Sequence, residues 1–331
     1  MPRSARLHLH LETPRTSPAH FHLTEEAWAA AARRHRALAR RLRVTIGWDG
    51  EILDAALGSA DLMIDSTPPR ERLRERAPRL KWIQTTGAGV EGLLPLDWLP
   101  DDIVLTNNSG AHGPKAEDSC TMALLALHAR LPQVMANQRD RVWRQILTPP
   151  IAGATAVVIG FGDLGQAAGR AAKKLGMKVI AITRRGTATR LADAAYPATR
   201  IDRVLPRADY VIVASPLTPL TRGLLGASRL ALLKPGAALI NIARAGIVDY
   251  EALRGMLERG ALSGAVLDVF DPEPLPAGSP LWSTPNLMVL PHITCDRPGY
   301  ADFVLDRWFE NFERFLGGKR LKNIVDRQLG Y

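Results

Sequence analysis

The chain has 331 residues, 46% hydrophobic and 23% charged, with a formal net charge of +10. This length allows two domains, and the composition excludes a disordered chain. The basic excess invites a nucleic-acid partner, but residues 116–297 hold 21 basic against 14 acidic side chains, so most of the excess is confined there. In chain order, residues 6–12, 44–48, 61–65, 80–86 and 103–107 are short apolar runs that read as strands. Helical patterns lie between them, including residues 25–43 and 51–57. A long helical pattern spans residues 114–144. A second strand series follows at 155–160, 178–183, 209–214, 237–243, 264–270 and 287–290, and a last helix at 301–315. Continuous apolar runs alternating with helices predict parallel strands covered on both faces. The expected fold class is therefore α/β, with two doubly wound parallel sheets.

Two cysteines, Cys120 and Cys295, exclude a disulfide framework and a four-cysteine zinc site. No long apolar stretch follows Met1, and no apolar run approaches the ~20 residues that span a bilayer. A cytoplasmic protein without membrane contact is expected. His8/His10 and His20/His22 have the i,i+2 spacing of one strand face, but two histidines without further ligands make a poor metal site, and none is expected. The arginines of residues 33–43 read as a solvated helix face.

Gly160, Gly162 and Gly165 form G-x-G-x-x-G between an apolar strand and an amphipathic helix over residues 163–175. The first glycine permits the tight turn, the second lets backbone approach a pyrophosphate, and the third lets helix and strand pack closely. An NAD preference usually needs Asp or Glu at the end of the next strand. This chain has Thr183-Arg184-Arg185 there, and arginine suits the 2′-phosphate of NADP. NADP is expected as the preferred cofactor, with NAD possible. Residues 170–207 hold 10 basic and 2 acidic side chains, which reads as positive charge around the adenosine end of the dinucleotide.

Three segments at strand ends carry an Arg, a Glu and a His: residues 241–249 with Arg244, residues 267–274 with Glu273, and residues 290–294 with His292. With the glycine fingerprint, their order over residues 80–315 resembles the D-isomer-specific 2-hydroxyacid dehydrogenase family, and the cofactor choice resembles its NADP-preferring glyoxylate/hydroxypyruvate reductase branch. The resemblance implies a flavodoxin-like substrate and catalytic domain of residues 1–115 plus 298–331. Residues 116–297 would be inserted into it as a Rossmann-type NAD(P)-binding domain. It implies reduction of a small 2-keto acid to the 2-hydroxy acid. His292 would donate the proton, Glu273 would hold the imidazole and favour its charged form, and Arg244 would bind the carboxylate. Backbone N–H groups of Ala88 and Gly89 would grip the same carboxylate, and Asp268 would face the nicotinamide carboxamide. The remaining cofactor contacts would come from Asp163 and Leu164, Ser215 and Pro216, and Ile242 and Ala243. A homodimer through the cofactor domains and residues 114–144 is also implied. The family includes transcriptional corepressors, so an NAD(P)-sensing binding protein without turnover is the alternative. Two departures stand out. Ala245 replaces the usual Gly after Arg244, which is tolerable at a negative φ, and Cys295 follows His292 closely, either as a reactive thiol or as a small buried hydrophobe.

Overall fold

A computed structural model describes residues 6–110, 112–187 and 189–331. The chain forms two compact units, Met1–Ala111 with Arg297–Tyr331, and His112–Asp296. The first has five parallel strands: β1 (Leu7–Thr13), β2 (Leu42–Trp48), β3 (Leu62–Ile64), β4 (Trp82–Gln84) and β5 (Val104–Thr106). Their order is β2-β1-β3-β4-β5, the flavodoxin-like arrangement. On one face Leu9, Leu11, Leu62, Ile64 and Trp82 pack with Trp308, Phe309 and Phe312 of the helix Tyr300–Leu316. Trp82 stacks on Trp308 with centroids 5.3 Å apart, and its indole N–H donates to Thr106 Oγ1 at 2.8 Å.

The helical pattern of residues 25–43 resolves into Glu25–Arg34 and Arg36–Ala39, with β2 starting at Leu42. His35 breaks the helix at φ −115 and ψ 41. Its ring stacks on Phe309 at 4.5 Å and bonds Asp306 at 2.8 Å, a tertiary anchor that overrides local periodicity. Arg34 pairs with Asp302 and Asp306, so that helix face is not merely solvated.

His8 and His10 share a face of β1 and are both buried. Hydrogen bonds run from Ser59 Oγ to His8 (3.0 Å), on to Thr45 Oγ1 (2.9 Å) and His10 (2.8 Å), and end at Glu12 Oε2 (2.9 Å). Burial lowers the pKa of both histidines. His20 and His22 do not lie on a strand; they belong to and follow the short turn Ala19–Phe21.

The second unit has seven parallel strands: β6 (Thr155–Ile159), β7 (Lys178–Thr183), β8 (Ala194–Pro197), β9 (Tyr210–Val213), β10 (Ala238–Asn241), β11 (Gly264–Leu267) and β12 (Leu287–Val289). The order β12-β11-β10-β9-β6-β7-β8 reverses direction between β6 and β9, the crevice where doubly wound sheets bind ligands. Edge strand β8 is only half-buried and ends in proline, so it has no apolar run to announce it. The helices Gly113–His128 and Asp163–Lys174 cover one face, where Cys120, Leu124, Ala168 and Ala172 meet Val158, Ile240 and Val266.

The long pattern of residues 114–144 is two helices, Gly113–His128 and Leu131–Arg139. Arg130 separates them at φ +57. Pro132 stands in the first turn of the second helix, and a proline there cannot continue the preceding one. Among the described residues no helix is long and apolar enough to cross a membrane.

Candidate active site

In the second unit the candidate site side chains stand at the carboxyl ends of β6, β7, β9, β10, β11 and β12. At β6 the chain turns at Gly160 with φ +85. A Cβ there would lie 2.5 Å from Ser215 Cα, at the end of β9. A Cβ on Gly165 would collide with the Gly160 carbonyl oxygen. Gly160 and Gly165 thus serve the close approach of turn, strand and helix. Gly162 differs, since a Cβ there would meet nothing within 4 Å. It caps the helix Asp163–Lys174, where no side-chain hydrogen bond holds the N–H groups of the first turn. Among the described residues Ser215 Oγ and Asp163 Oδ2 are buried without a hydrogen-bond partner. A free helix N-terminus, an open glycine and an orphaned buried hydroxyl fit a dinucleotide pyrophosphate.

Thr183 ends β7, and its hydroxyl accepts the Thr187 N–H at 3.1 Å. Arg184 and Arg185 follow on an exposed loop, with no carboxylate at the strand end. The basic stretch around them is only partly available to an anion. Arg170 and Lys174 both pair with Glu117, and Lys173 pairs with Asp193.

Asn241, fully buried at the end of β10, shapes the segment that carries Arg244. Its Oδ1 accepts the Ala243 N–H at 3.0 Å, and its Nδ2 donates to the Arg244 carbonyl at 3.0 Å. The Arg244 guanidinium donates to the Ala243 carbonyl at 2.7 Å. Ala245 opens a short turn and is not at a positive φ, so it replaces glycine without strain. Asp249 then caps the helix Tyr250–Glu258 by accepting the Ala252 N–H at 3.0 Å.

His292 follows β12 with φ +55. Its Nδ1 lies 2.8 Å from Glu273 Oε2. Glu273 Oε1 accepts the Phe270 N–H at 2.7 Å, which fixes the carboxylate from its other side. Both side chains are part-exposed, His292 at 44% and Glu273 at 36%, so the far nitrogen of the ring is reachable. Asp268 is buried and accepts the N–H groups of Ile293 at 2.8 Å and Thr294 at 3.1 Å, anchoring the chain beyond the histidine. Burial raises its pKa against those bonds.

His112 carries no motif that marks it in the sequence, yet it belongs to this region. It is buried, and Asp163, Asp296, Arg244 and His292 all act on its ring electrostatically. Burial dominates and lowers its pKa. Burial also pushes the Cys120 thiol up to about 12 and raises that of Cys295. Of the two readings of Cys295, this favours the inert one, because the thiolate is the reactive form.

In the first unit Ala88 and Gly89 lie on the loop after β4. Asn107 Nδ2 donates to the Ala88 carbonyl at 2.8 Å, and Thr85 Oγ1 to that of Gly87 at 2.8 Å. Among the described residues the N–H groups of Ala88 and Gly89 meet no protein acceptor. Among those residues, too, no three His, Cys, Asp or Glu side chains cluster as metal ligands.

Residues 121–294 match the family model described as D-isomer specific 2-hydroxyacid dehydrogenase, NAD binding domain. The chain is 31% identical over 274 residues to a glyoxylate reductase of Thermococcus litoralis, covering 78% of this chain and 81% of that one. It is similar in structure to a D-isomer specific 2-hydroxyacid dehydrogenase of Xanthobacter autotrophicus Py2 in complex with NADPH and MES, with TM-score 0.83 and 29% identity over 99% of this chain and 100% of that one. An NADPH-dependent glyoxylate/hydroxypyruvate reductase of Sinorhizobium meliloti, in complex with NADP and sulfate, is similar at TM-score 0.83 and 28% identity over 98% and 100%. Strand orders, glycine turn and family match agree, and the chain belongs to the D-isomer specific 2-hydroxyacid dehydrogenase family, NAD(P)-dependent oxidoreductases acting on CH–OH groups.

Proposed function

We propose that this protein reduces a small 2-keto acid of the glyoxylate or hydroxypyruvate kind to its 2-hydroxy acid, with NADPH preferred over NADH. The observation that carries the reading is the His292–Glu273 pair at 2.8 Å; His292 and Arg244 both act on the buried His112 ring. When bound, the nicotinamide supplies a hydride to the keto carbon. Arg244 holds the substrate carboxylate through its planar fork. His292 gives its Nε2 proton to the keto oxygen, while Nδ1 stays bound to Glu273. The carboxylate orients the ring and stabilises the imidazolium before transfer.

Gly162, Ser215 and the start of the helix Asp163–Lys174 would hold the pyrophosphate. Asp163, Leu164, Pro216, Ile242 and Ala243 would line the rest of the dinucleotide site, and Asp268 would meet the carboxamide as well as hold the His292 chain. Thr183, Arg184 and Arg185 would take the 2′-phosphate, a preference supported by the missing carboxylate at the end of β7. The protein is proposed to act as a homodimer. In the span that would form the interface, Met135, Val142, Trp143 and Leu147 are exposed, Trp143 at 96%. Exposed apolar side chains gathered in one short span suit a surface that a second copy covers.

The test is a panel of 2-keto acids, glyoxylate and hydroxypyruvate among them, run with NADPH and with NADH. NADPH oxidation with a higher kcat/KM than NADH supports the reading. Tight cofactor binding without turnover on the whole panel would overturn it in favour of a cofactor sensor.

A further inference from the structure

The two segments that bear Arg244 and Glu273 come from different strands, β10 and β11, and a single hydroxyl joins them. Tyr250 is the first residue of the helix Tyr250–Glu258. Its hydroxyl accepts from Asn241 Nδ2 at 2.9 Å and donates to the Val269 carbonyl at 2.8 Å. The same Asn241 amide group donates to the Arg244 carbonyl at 3.0 Å. Val269 precedes Phe270, whose N–H holds Glu273 Oε1 at 2.7 Å. The chain of contacts therefore runs Arg244–Asn241–Tyr250–Val269–Phe270–Glu273 and reaches His292. Ring packing supports it, since Tyr250 meets Phe270 edge-on at 6.2 Å. Burial raises the phenol pKa, so the group stays a neutral donor and acceptor.

We propose that Tyr250 is a positioning residue whose hydroxyl sets the carboxylate-binding arginine and the acid–base pair in register with each other. Its hydroxyl is taken up by two protein partners, Asn241 and Val269. It acts by fixing two loops that a parallel sheet leaves independent beyond their strand ends. This assignment rests on the roles proposed above for Arg244, Glu273 and His292. Geometry of this kind matters because a small misplacement of reacting groups costs large factors in rate.

The test compares Tyr250→Phe with Tyr210→Phe. Both remove one hydroxyl from the same unit, but that of Tyr210 bonds His128 at 2.8 Å, outside this network. Tyr250→Phe also keeps its ring, which lines an open cavity of about 420 Å³ with Phe270 and Leu275. Tyr250→Phe is expected to lower kcat about tenfold and raise KM for the keto acid, with the Kd for NADPH unchanged. Tyr210→Phe is expected to match wild type in all three. Hydrogen exchange gives a readout independent of turnover: the Ala243 and Phe270 amides should exchange faster in Tyr250→Phe only. If wild type turns over and the two variants behave alike, the positioning role is wrong. If wild type shows no turnover, the proposed function fails, and the exchange data alone decide whether Tyr250 ties the two loops.

Discussion

His292 Nδ1 and Glu273 Oε2 lie 2.8 Å apart, while the opposite carboxylate oxygen is held by the Phe270 N–H. The pair is fixed through Nδ1, which leaves Nε2 for the proton transfer proposed above. Positioned general acids contribute roughly 10²–10⁴-fold to rate. His292→Asn should lower kcat for keto-acid reduction within that range, and Glu273→Gln by about tenfold or more. Because they act as a unit, the double variant should be little worse than His292→Asn alone. Steady-state kinetics of the three variants checks this, and fully multiplicative losses would contradict it.

Gly162 and Gly165 stand in one turn but should fail differently. Gly165→Ala forces a methyl group into the Gly160 carbonyl, so it should lower Tm markedly, as overpacking costs about 1–3 kcal/mol or more. Gly162→Ala points its methyl into open space, where the cofactor would lie. It should leave Tm nearly unchanged and raise the Kd for NADPH. Thermal melts with and without NADPH separate the two effects.

Arg184 is expected to bind the 2′-phosphate. A hydrogen bond to a charged group contributes about 1.5–3 kcal/mol. Arg184→Ala should therefore weaken NADPH binding about 10- to 100-fold and leave NADH unaffected. Adding Thr183→Asp should shift the preference toward NADH. Fluorescence titration with both cofactors reads this directly, and equal losses for the two would exclude a 2′-phosphate role.

Asp65 ends the buried region beyond β3, and burial pushes its pKa up to about 7. In the unfolded chain it titrates near ~3.9. Between those values the native state keeps a proton that the unfolded state has lost. Its contribution therefore destabilises progressively from about pH 4 to 7 and levels off above, by at most about 4 kcal/mol. Asp65→Asn keeps the acceptor for the Thr67 N–H, bonded at 2.7 Å, and removes the titration. The variant should gain stability relative to wild type between pH 5 and pH 8 in denaturant melts. A difference that does not change with pH would rule this out.

Trp143 and Leu147 are 96% and 89% exposed, far more than isolated apolar side chains need be. Light scattering after size exclusion should give a dimer for wild type. Trp143→Glu with Leu147→Glu should give a monomer with the same far-UV spectrum.

Much of this was legible in the sequence because parallel strands buried on both faces are continuous apolar runs, and the motifs sit where those runs end. Gly160, Arg244, Glu273 and His292 each follow such a run. Edge strand β8 was not legible, because its half-buried residues carry no apolar run. The break at His35 was hidden because Phe309 and Asp306, which hold it, are more than 270 residues away in sequence. The proline break at residues 129–132 could have been read from Pro132, whose ring forbids one continuous helix. Tyr250 and His112 gave no signal because their partners are a side-chain amide, a backbone carbonyl and scattered charges, which no motif spacing announces.

The second unit begins at His112 and ends at Asp296, whose charge acts on the His112 ring. A few residues inward, Ser119 Oγ donates to the Thr294 carbonyl at 3.1 Å. Entry and exit therefore share one doorway. A short peptide could join residue 296 to residue 112, and new termini could be opened in an exposed loop elsewhere in the unit. The seven-stranded unit is thus suited to circular permutation, and to exchange as a cassette.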